Sequence, residues 1–436
     1  MNTWMYSIVF LLFSSVVMGQ NSWSHTKLKN LPIPSSDNAV CESVLPNGTK
    51  YVYSFGGVTN PLAESNIHRR VQKYTIVNNS WSLLGSIPDS LGKIGASASF
   101  VNNRIYLIGG HYSVNDSLIS SNQVHVFNPF VDSFEVNAVG VPIAVDHHVQ
   151  DVWRDSLIYV IGGWSNEGTT PKVHVFNPFF NTWSEATSLP DNDFFKVYGA
   201  SGVILGDTIF YYGGISEGIG TNVSSGLRKG VIDPEDPTQI EWTYVAGYNI
   251  PVYKGVAGGH GNKMFVFGGS EYEFDFSGNV EEMAVPPFIK NEILNFSISS
   301  GIFSLSEQVD FSISRKGSRG AAKLGGGNWL ICGGIDSLQR ASRDVFLLTN
   351  FAFSDIDKAL KPPLFDVVEF DEYYLIRTEN VGNVAVYDIA GRVLFSERKN
   401  LADMHILKSD LHAEMLIFVY NDGSNVPVTR KRVLIR

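Results

Sequence analysis

Cysteine and charge are both scarce in this sequence. The 436-residue chain contains two cysteines, and charged residues make up 17% of it. Two cysteines exclude a small fold stapled by several disulfides. The 33 basic side chains are outnumbered by 43 acidic ones, a net charge of −10. This balance argues against nucleic acid as a partner, because phosphate binding needs clustered Lys and Arg. Hydrophobic residues reach 44%, so the chain can bury a sizeable core and is not disordered.

Long hydrophobic runs are also lacking. The apolar run from Ile8 to Met18 is too short to span a bilayer and is typical of a signal peptide, although no Lys or Arg precedes it. Small residues at Val17 and Gly19 predict a signal peptide over residues 1–19, cleaved before Gln20. No later stretch approaches 18 apolar residues, so we expect no transmembrane segment after signal removal. The expected location is secreted, or on the outer cell surface, by way of the periplasm.

A short β-rich run that ends in Gly-Gly recurs six times. The copies are YVYSFGG, IYLIGG, IYVIGG, IFYYGG, MFVFGG and WLICGG, with their second glycines at positions 57, 110, 163, 214, 269 and 334. The spacings of 51 to 65 residues match a four-stranded sheet with its turns. Each unit is therefore predicted to form four consecutive strands.

These units resemble the kelch repeat, in which a double glycine closes the second strand and an aromatic-Asn/Asp-Pro turn precedes a Trp. The marks are Phe176, Asn177, Pro178 and Trp183 in the third unit. The second unit has Phe127, Asn128, Pro129 and Phe134, and the fourth has Asp233, Pro234 and Trp242. The first, fifth and sixth units match less well. The resemblance implies an all-β chain with a six-bladed kelch β-propeller over residues 20–355.

The start of the predicted propeller carries a segment that belongs with its end. NSWSHTKLKNLPIP, residues 21–34, is similar to the fourth-strand segments NSWSLLGSIP and NTWSEATSLP, yet it precedes the first unit. The sixth unit has no recognisable fourth strand of its own. Because an open ring would leave an exposed edge strand, we predict that residues 21–34 pair with the last blade.

The repeats stop near residue 355. Residues 356–363, which include Lys361, Pro362 and Pro363, are predicted to form a linker. Residues 364–436 alternate as a small β-sandwich. VYDIAGRVLFSE, the strand MLIFVY and a basic end resemble the C-terminal sorting domain of the Bacteroidetes type IX secretion system, without its Tyr-Pro-Asn-Pro opening and with Glu414 in place of the usual Gly. The resemblance implies that the type IX secretion machinery is a partner; the alternative is an accessory β-domain.

The two cysteines allow two interpretations. Cys41 lies near the first strand of the first unit, and Cys332 precedes the glycine pair of the sixth. Neighbouring blades could bring them together as a disulfide, but the sequence does not show the required separation. We favour two buried thiols.

Ligand-binding candidates are expected around the channel mouth, where loops between blades meet loops between second and third strands. Cationic and aromatic side chains there would suit an anionic or sugar-like ligand. The alternative for each is a solvated loop charge. The candidates are His147, His148, Lys196, Lys254, Arg315, Arg319, Trp164 and Glu42.

A metal site at Asp146, His147 and His148 is not favoured. Neighbours on a strand point to opposite faces, so His147 and His148 could not both face one ion without a bulge. No other Cys or His spacing supports a metal, and we expect no cofactor.

The fifth unit contains a long insertion, residues 270–290, rich in acidic and aromatic residues. Long loops of this kind are often functional, so it could cap the channel or offer a partner surface. The alternative is an insertion without a role.

Three function classes follow. The first is a non-catalytic, secreted or surface binding module for a glycan or protein partner. The second is a carbohydrate isomerase resembling bacterial sialic-acid mutarotases, with Glu42, Arg315 and Arg319 as candidates. The third is a copper oxidase resembling galactose oxidase, which needs a thioether-forming Cys; Cys332 in a core position argues against it.

Overall fold

The computed structural model describes the chain in segments and divides it into two compact units, residues 1–353 and 354–436. The described residues are 23–45, 47–60, 66–115, 117–219, 223–273, 292–297, 302–308, 313–350, 365–369, 373–378, 382–388, 392–399, 404–411, 415–421 and 428–433. Over this part of the chain no helix is long and apolar enough to cross a membrane. The predicted signal peptide and linker lie outside the described residues.

The first unit begins with β1 (Trp23–Lys27) and contains six antiparallel sheets, each with a path of four strands. The first sheet comprises β2 (Ala39–Val44), β3 (Lys50–Phe55), β4 (Arg70–Thr75) and β5 (Ser80–Ser86). The second comprises β6 (Ile94–Val101), β7 (Arg104–Val114), β9 (Val124–Asn128) and β10 (Ser133–Phe134), with β8 (Ser117–Ser120) beside β7. The third comprises β11 (Val149–Trp153), β12 (Leu157–Ile161), β15 (Val173–Asn177) and β16 (Thr182–Ala186), and β13 (Trp164–Ser165) pairs separately with β14 (Gly168–Thr169).

The remaining sheets repeat this order. The fourth comprises β17 (Ser201–Leu205), β18 (Thr208–Tyr212), β19 (Gly226–Ile232) and β20 (Ile240–Gly247). The fifth comprises β21 (Val256–His260), β22 (Lys263–Phe267), β23 (Glu292–Ser297) and β24 (Ile302–Gln308). The sixth comprises β25 (Ala322–Gly325), β26 (Asn328–Cys332) and β27 (Val345–Asn350), followed by β1. Short 3-10 turns lie at Ile76–Asn78, Glu217–Ile219 and Lys408–Asp410.

The second strand of each sheet is buried on both faces. In β12, four of the five residues are buried, and its Val and Ile side chains pack on both sides. Tyr159 and Ile161 belong to a core cluster shared with the fourth sheet, whereas Ile158 and Val160 belong to one shared with the second. A continuous apolar run is what a strand between two packed neighbours requires. The runs before each Gly-Gly therefore form the cores between sheets.

The strand β1 supplies the outer strand of the sixth sheet. It runs antiparallel to β27, with Trp23 opposite Asn350 and Lys27 opposite Phe346. The Trp23 ring packs 4.8 Å from Phe265 in the fifth sheet and 5.6 Å from Trp329 in the sixth. The first described residues are thereby joined to the last sheet by backbone pairing and by aromatic packing.

A ring of backbone hydrogen bonds runs through all six sheets at the entrances to their first strands. The ring positions, one per sheet, are Asp37, Gly95, His147, Gly199, Lys254 and Gly317. Each N–H donates to the carbonyl of the preceding ring position, and the Asp37 N–H closes the ring on the Gly317 carbonyl, with N···O distances from 2.6 to 3.2 Å. All six residues have positive φ, between 48° and 68°. The hydrogen bonds return to their start after six steps.

The second unit contains two antiparallel sheets. One comprises β28 (Phe365–Glu369), β29 (Tyr373–Thr378) and β32 (Met404–Leu407). The other comprises β30 (Gly382–Tyr387), β31 (Val393–Lys399), β33 (Met415–Asn421) and β34 (Val428–Val433). A single core cluster contains Tyr374 and Ile376 from the first sheet and Val384 and Phe418 from the second. The apolar faces of both sheets thus contribute to one core.

Both cysteines are free and buried in the structure, in agreement with the interpretation we favoured. The Cys41 thiol donates to the Glu42 carbonyl at 3.1 Å. Burial raises the pKa of Cys332 to about 12, so this thiol stays protonated at neutral pH.

Candidate functional site

Three side chains of the hydrogen-bonded ring meet inside the channel. The charged or polar residues Asp37, His147 and Lys254 alternate around the ring with glycines. Asp37 Oδ1 lies 3.2 Å from His147 Nε2, and Lys254 Nζ donates to Asp37 Oδ2 at 3.5 Å. All three residues are buried. They form a polar cluster on the channel axis, which we call the channel plug.

Two glycines of the ring leave room for the side chains of neighbouring residues. A Cβ on Gly95 would lie 2.7 Å from the His147 ring, and one on Gly199 would lie 2.3 Å from the Tyr253 ring. Left-handed backbone also favours glycine, because it has no Cβ to clash. Asp37, His147 and Lys254 adopt the same φ without being glycine. Strained positions of this kind gather at functional sites.

Electrostatics keep the Asp37 carboxyl of the channel plug ionised. Burial raises the pKa of Asp37, but Lys254, His147 and Arg319 together bring it well below its usual range. Burial and the Lys254 charge lower the pKa of His147, opposed by Asp146 and Asp37. The Asp37 carboxylate therefore neutralises Lys254 inside the protein.

Arg319 crosses the channel beside the channel plug. Its Nη2 donates to Ser97 Oγ and to the His148 carbonyl, both at 2.7 Å, so it reaches from the last sheet to the second and third. His148 points the other way from His147, and its Nε2 lies 3.0 Å from Gln150 Oε1. Burial and the Arg319 charge lower the pKa of His148 to about 3. Arg319 therefore links three sheets, whereas the His148 ring contacts its own sheet.

A cavity of about 330 Å³, the mouth cavity, lies on one side of the channel plug. Trp164, Tyr198 and Tyr253 form an aromatic wall. The ring centroids of Trp164 and Tyr198 are 5.1 Å apart, and those of Tyr198 and Tyr253 are 5.7 Å apart. The Tyr198 hydroxyl donates to the Glu273 carboxylate. The full lining is His111, Leu118, Ser120, Asp146, His147, Trp164, Tyr198, Tyr253, Lys254 and Glu273.

The floor of the mouth cavity is polar. Asp146 Oδ1 lies 2.6 Å from His147 Nδ1 and 3.4 Å from His111 Nδ1. Ser120 Oγ donates to Asp146 Oδ2 at 2.6 Å. Burial raises the pKa of Asp146, but His111 and His147 lower it well below its usual range. The floor therefore presents a buried carboxylate with imidazole and hydroxyl partners.

The opposite side of the channel holds a second cavity of about 360 Å³, the channel cavity, lined by the first strands of all six sheets. Glu42 and Asp151 both face it, together with Lys323 and Gln150. Glu42 Oε2 accepts from the Lys323 backbone N–H at 2.9 Å, and Asp151 Oδ2 accepts from the Ile204 N–H at 2.6 Å. Burial raises the pKa of Glu42, and it raises that of Asp151 to about 6.

The raised pKa of Asp151 predicts that the contribution of this one group to stability falls as pH rises, whereas the lowered pKa of His148 acts in the opposite direction. The carboxyl binds its proton more tightly in the folded chain, at a pKa of about 6 against 3.8 for the free group, so deprotonation between these values disfavours folding. Between pH 5 and pH 7.5, which spans about one unit of this window, we expect the contribution of Asp151 to fall by about 1.4 kcal/mol. Urea unfolding at both pH values measures it. The difference in unfolding free energy between the unmodified chain and Asp151→Asn isolates this group and should change by about 1.4 kcal/mol between the two pH values. A difference that is the same at both pH values would contradict the assignment.

The structure brings together only some of the predicted candidates. His147, Lys254 and Trp164 line the mouth cavity, whereas Glu42 lies in the channel cavity. Lys196 pairs with Asp191 at 2.7 Å in a partly exposed position outside both cavities. Arg315 contacts Asp344 and lies 5.4 Å from the Phe346 ring, between sheets. Glu42 and Arg315 therefore have separate surroundings, and the three isomerase candidates share no cavity.

Residues that the predicted set omitted complete the mouth cavity. His111 and Ser120 lie on β7 and β8 of the second sheet, and Tyr198 and Tyr253 precede the fourth and fifth sheets. His111 directly follows a Gly-Gly pair, so its place in the repeat was the sequence signal that could have identified it as a site residue. The insertion at residues 270–290 is described only to Glu273, so the proposed cap lies largely outside the described residues.

Comparison with known proteins finds kelch relatives. Residues 155–190 match the kelch motif. Kelch-like protein 25 of Xenopus tropicalis is 26% identical over 247 residues, which cover 55% of this chain and 38% of that protein. Kelch-like protein 35 of Mus musculus is 24% identical over 122 residues, covering 28% and 19%. The chain thus spans less than two fifths of the length of these curated relatives.

A solved structure shares the fold over a larger part of the chain. The structure of YjhT aligns with a TM-score of 0.57 at 18% identity, covering 73% of this chain and 95% of YjhT. At this identity the likeness concerns the fold alone. It agrees with an all-β chain built from many antiparallel sheets.

Proposed function

We propose that this chain is a binding module that takes the exposed end of a glycan in its mouth cavity. The kelch motif and the kelch-like homologues support a kelch-repeat β-propeller as its fold. The single observation that carries the proposal is the lining of that cavity. An aromatic wall of Trp164, Tyr198 and Tyr253 stands beside a floor with Asp146, His147 and Ser120. Aromatic faces pack against the apolar faces of sugar rings, and the floor supplies partners for hydroxyl groups.

The size and exposure of the mouth cavity suit such a ligand. About 330 Å³ lies at the lower end of the range for small-molecule sites, which fits one or two sugar units better than a folded protein surface. Trp164 is only partly buried, so its ring is available for contact, while Tyr253 behind it is fully buried.

Trp164→Ala is expected to weaken glycan binding at least about 5-fold, because stacking of a ring on an aromatic side chain contributes on the order of 1–3 kcal/mol. A glycan array on the folded chain identifies the ligand, and titration calorimetry with that ligand measures the loss. Lys196→Ala, which changes a predicted candidate outside both cavities, is the matched control and should bind as the unmodified chain does. Equal affinity of the Trp164→Ala variant would contradict the proposed site.

A carbohydrate isomerase is the second candidate function, and its active site would lie in the channel cavity. Glu42 and Asp151 both have a raised pKa there, and a carboxyl with a pKa near 6 can give and take protons at neutral pH. Anomer exchange measured by NMR separates this activity from simple binding, since Asp151→Asn should abolish exchange and leave binding in the mouth cavity intact.

We further propose the finer architecture and the route of export. Six sheets joined by one hydrogen-bonded ring support a complete six-bladed propeller, closed by residues 21–34. Two sheets with one shared core support a C-terminal β-sandwich over residues 364–436. This domain resembles type IX sorting domains, and with the predicted signal peptide this resemblance supports secretion or display on the outer cell surface. A protein partner at the mouth cavity is the alternative to a glycan.

A further inference from the structure

A cluster of two histidines and one aspartate lies in the floor of the mouth cavity, and the proposed glycan binding does not need it as a set. His111, Asp146 and His147 are each buried, and one ligand atom from each lies within 4.8 Å of the other two. We propose that these three side chains bind a divalent late first-row metal ion such as Zn²⁺. Two imidazoles and one carboxylate, with the cavity on the open side, form the ligand set of an accessible zinc site.

The distances between ligand atoms fit this assignment. Atoms that share a tetrahedral zinc ion are roughly 3.3 Å apart, given bonds of about 2.0 Å. His111 Nδ1 lies 3.4 Å from Asp146 Oδ1, close to that value. His147 Nδ1 lies 2.6 Å from the same oxygen, so this pair would open by roughly 0.7 Å when the ion enters. The His111 and His147 ring centroids are 5.3 Å apart, which leaves both rings facing the shared carboxylate.

Residues behind the ligands orient them as in known metal sites. Asp37 Oδ1 lies 3.2 Å from His147 Nε2, so this nitrogen can carry the proton and leave Nδ1 with a free lone pair. Ser120 Oγ donates to Asp146 Oδ2, leaving Oδ1 for the ion. A carboxylate behind a ligand histidine is the usual second layer of a zinc site.

The backbone explains how neighbours in sequence can share one ion. In a strand Asp146 and His147 would point to opposite faces. His147 instead has φ of 48° as part of the hydrogen-bonded ring, and Asp146 pairs with Trp164 through an isolated bridge. The left-handed turn directs both side chains to the same point. His148, which follows it, points into the other side of the channel.

Two positive charges near the cluster, those of Lys254 and Arg319, would oppose the binding of a cation. Lys254 is paired with Asp37, and Arg319 donates to Ser97 and His148. Two buried carboxylates, Asp37 and Asp146, balance these two cations. The ion itself would then attract an anionic or oxygen ligand from the mouth cavity.

Zinc titration of the folded full-length chain, stripped of metal and free of glycan, tests the site. We expect one Zn²⁺ per chain by calorimetry, and a Co²⁺ derivative with visible absorption typical of tetrahedral coordination. His111→Gln should weaken binding at least about 100-fold, and Ser120→Ala about 10-fold. His174→Gln removes another buried histidine, outside the cavity, and should bind zinc normally.

The outcomes separate this proposal from the glycan site. Trp164→Ala should lose glycan binding and keep zinc. If the folded unmodified chain binds no zinc, or if His111→Gln binds it as tightly as the unmodified chain, the cluster is a hydrogen-bonded polar core and the metal site is refuted, whatever the glycan result. Circular dichroism confirms that each variant is folded before it is titrated.

Discussion

A chain that lacks residues 20–34 should lose at least about 5 kcal/mol of unfolding free energy. This deletion removes the whole of β1 and leaves β27 without its outer partner. It also removes Trp23 and Leu31, which are both buried, and truncation of one large buried side chain alone costs about 2–5 kcal/mol. The backbone bonds from Leu28 to Val345 and from Leu31 to Arg343 disappear with them.

Urea unfolding and thermal melts of the truncated chain measure this loss. Deletion of residues 1–19 alone is the matched control and should leave the melt unchanged. Trp23→Ala isolates the aromatic part, because its indole packs on Phe265 and Trp329 and donates to Asn295 Oδ1 at 3.0 Å. A truncated chain that melts with the full-length chain would show that the sixth sheet does not need β1.

Gly199→Ala should destabilise the protein by about 2–4 kcal/mol, whereas Gly206→Ala should cost about 1 kcal/mol. Both glycines have positive φ, 68° and 60°, so each alanine carries the strain of the left-handed region. Only at Gly199 would the new Cβ also meet a buried ring, 2.3 Å from Tyr253, while nothing lies within 4 Å of it at Gly206. Overpacking of this kind costs a further 1–3 kcal/mol.

The pair of variants is informative because the backbone cost is common to both. The difference in unfolding free energy, measured by urea denaturation, reports the packing between the ring and the aromatic wall of the mouth cavity. Equal losses in the two variants would mean that Tyr253 can move aside without cost. Because Tyr253 lines the mouth cavity, Gly199→Ala should also weaken glycan binding, and Gly206→Ala should not.

The amino-acid sequence predicted the repeating part of this protein. Six Gly-Gly runs and their flanking strands appear as six sheets, each with a path of four strands, and the segment around Trp23 pairs with β27. These features are visible in the sequence because each depends on a short-range pattern. Apolar runs indicate strands buried on both faces, glycines indicate left-handed turns, and a copy of the fourth-strand motif precedes the first repeat instead of ending the last one. The buried thiols followed from the same repeat alignment.

The tertiary structure alone decided which side chains meet. Lys196 and Arg315 lie in interblade segments, as Lys254 does, yet of these three only Lys254 lines the mouth cavity. His148 is adjacent to His147, yet His111, 36 positions earlier, is the residue that joins it at Asp146. Side-chain direction at these positions depends on single backbone angles, such as the left-handed φ of His147, and on which glycine opposite leaves room. A repeat pattern records the spacing of strands, whereas the meeting of these side chains depends on how the sheets pack in three dimensions.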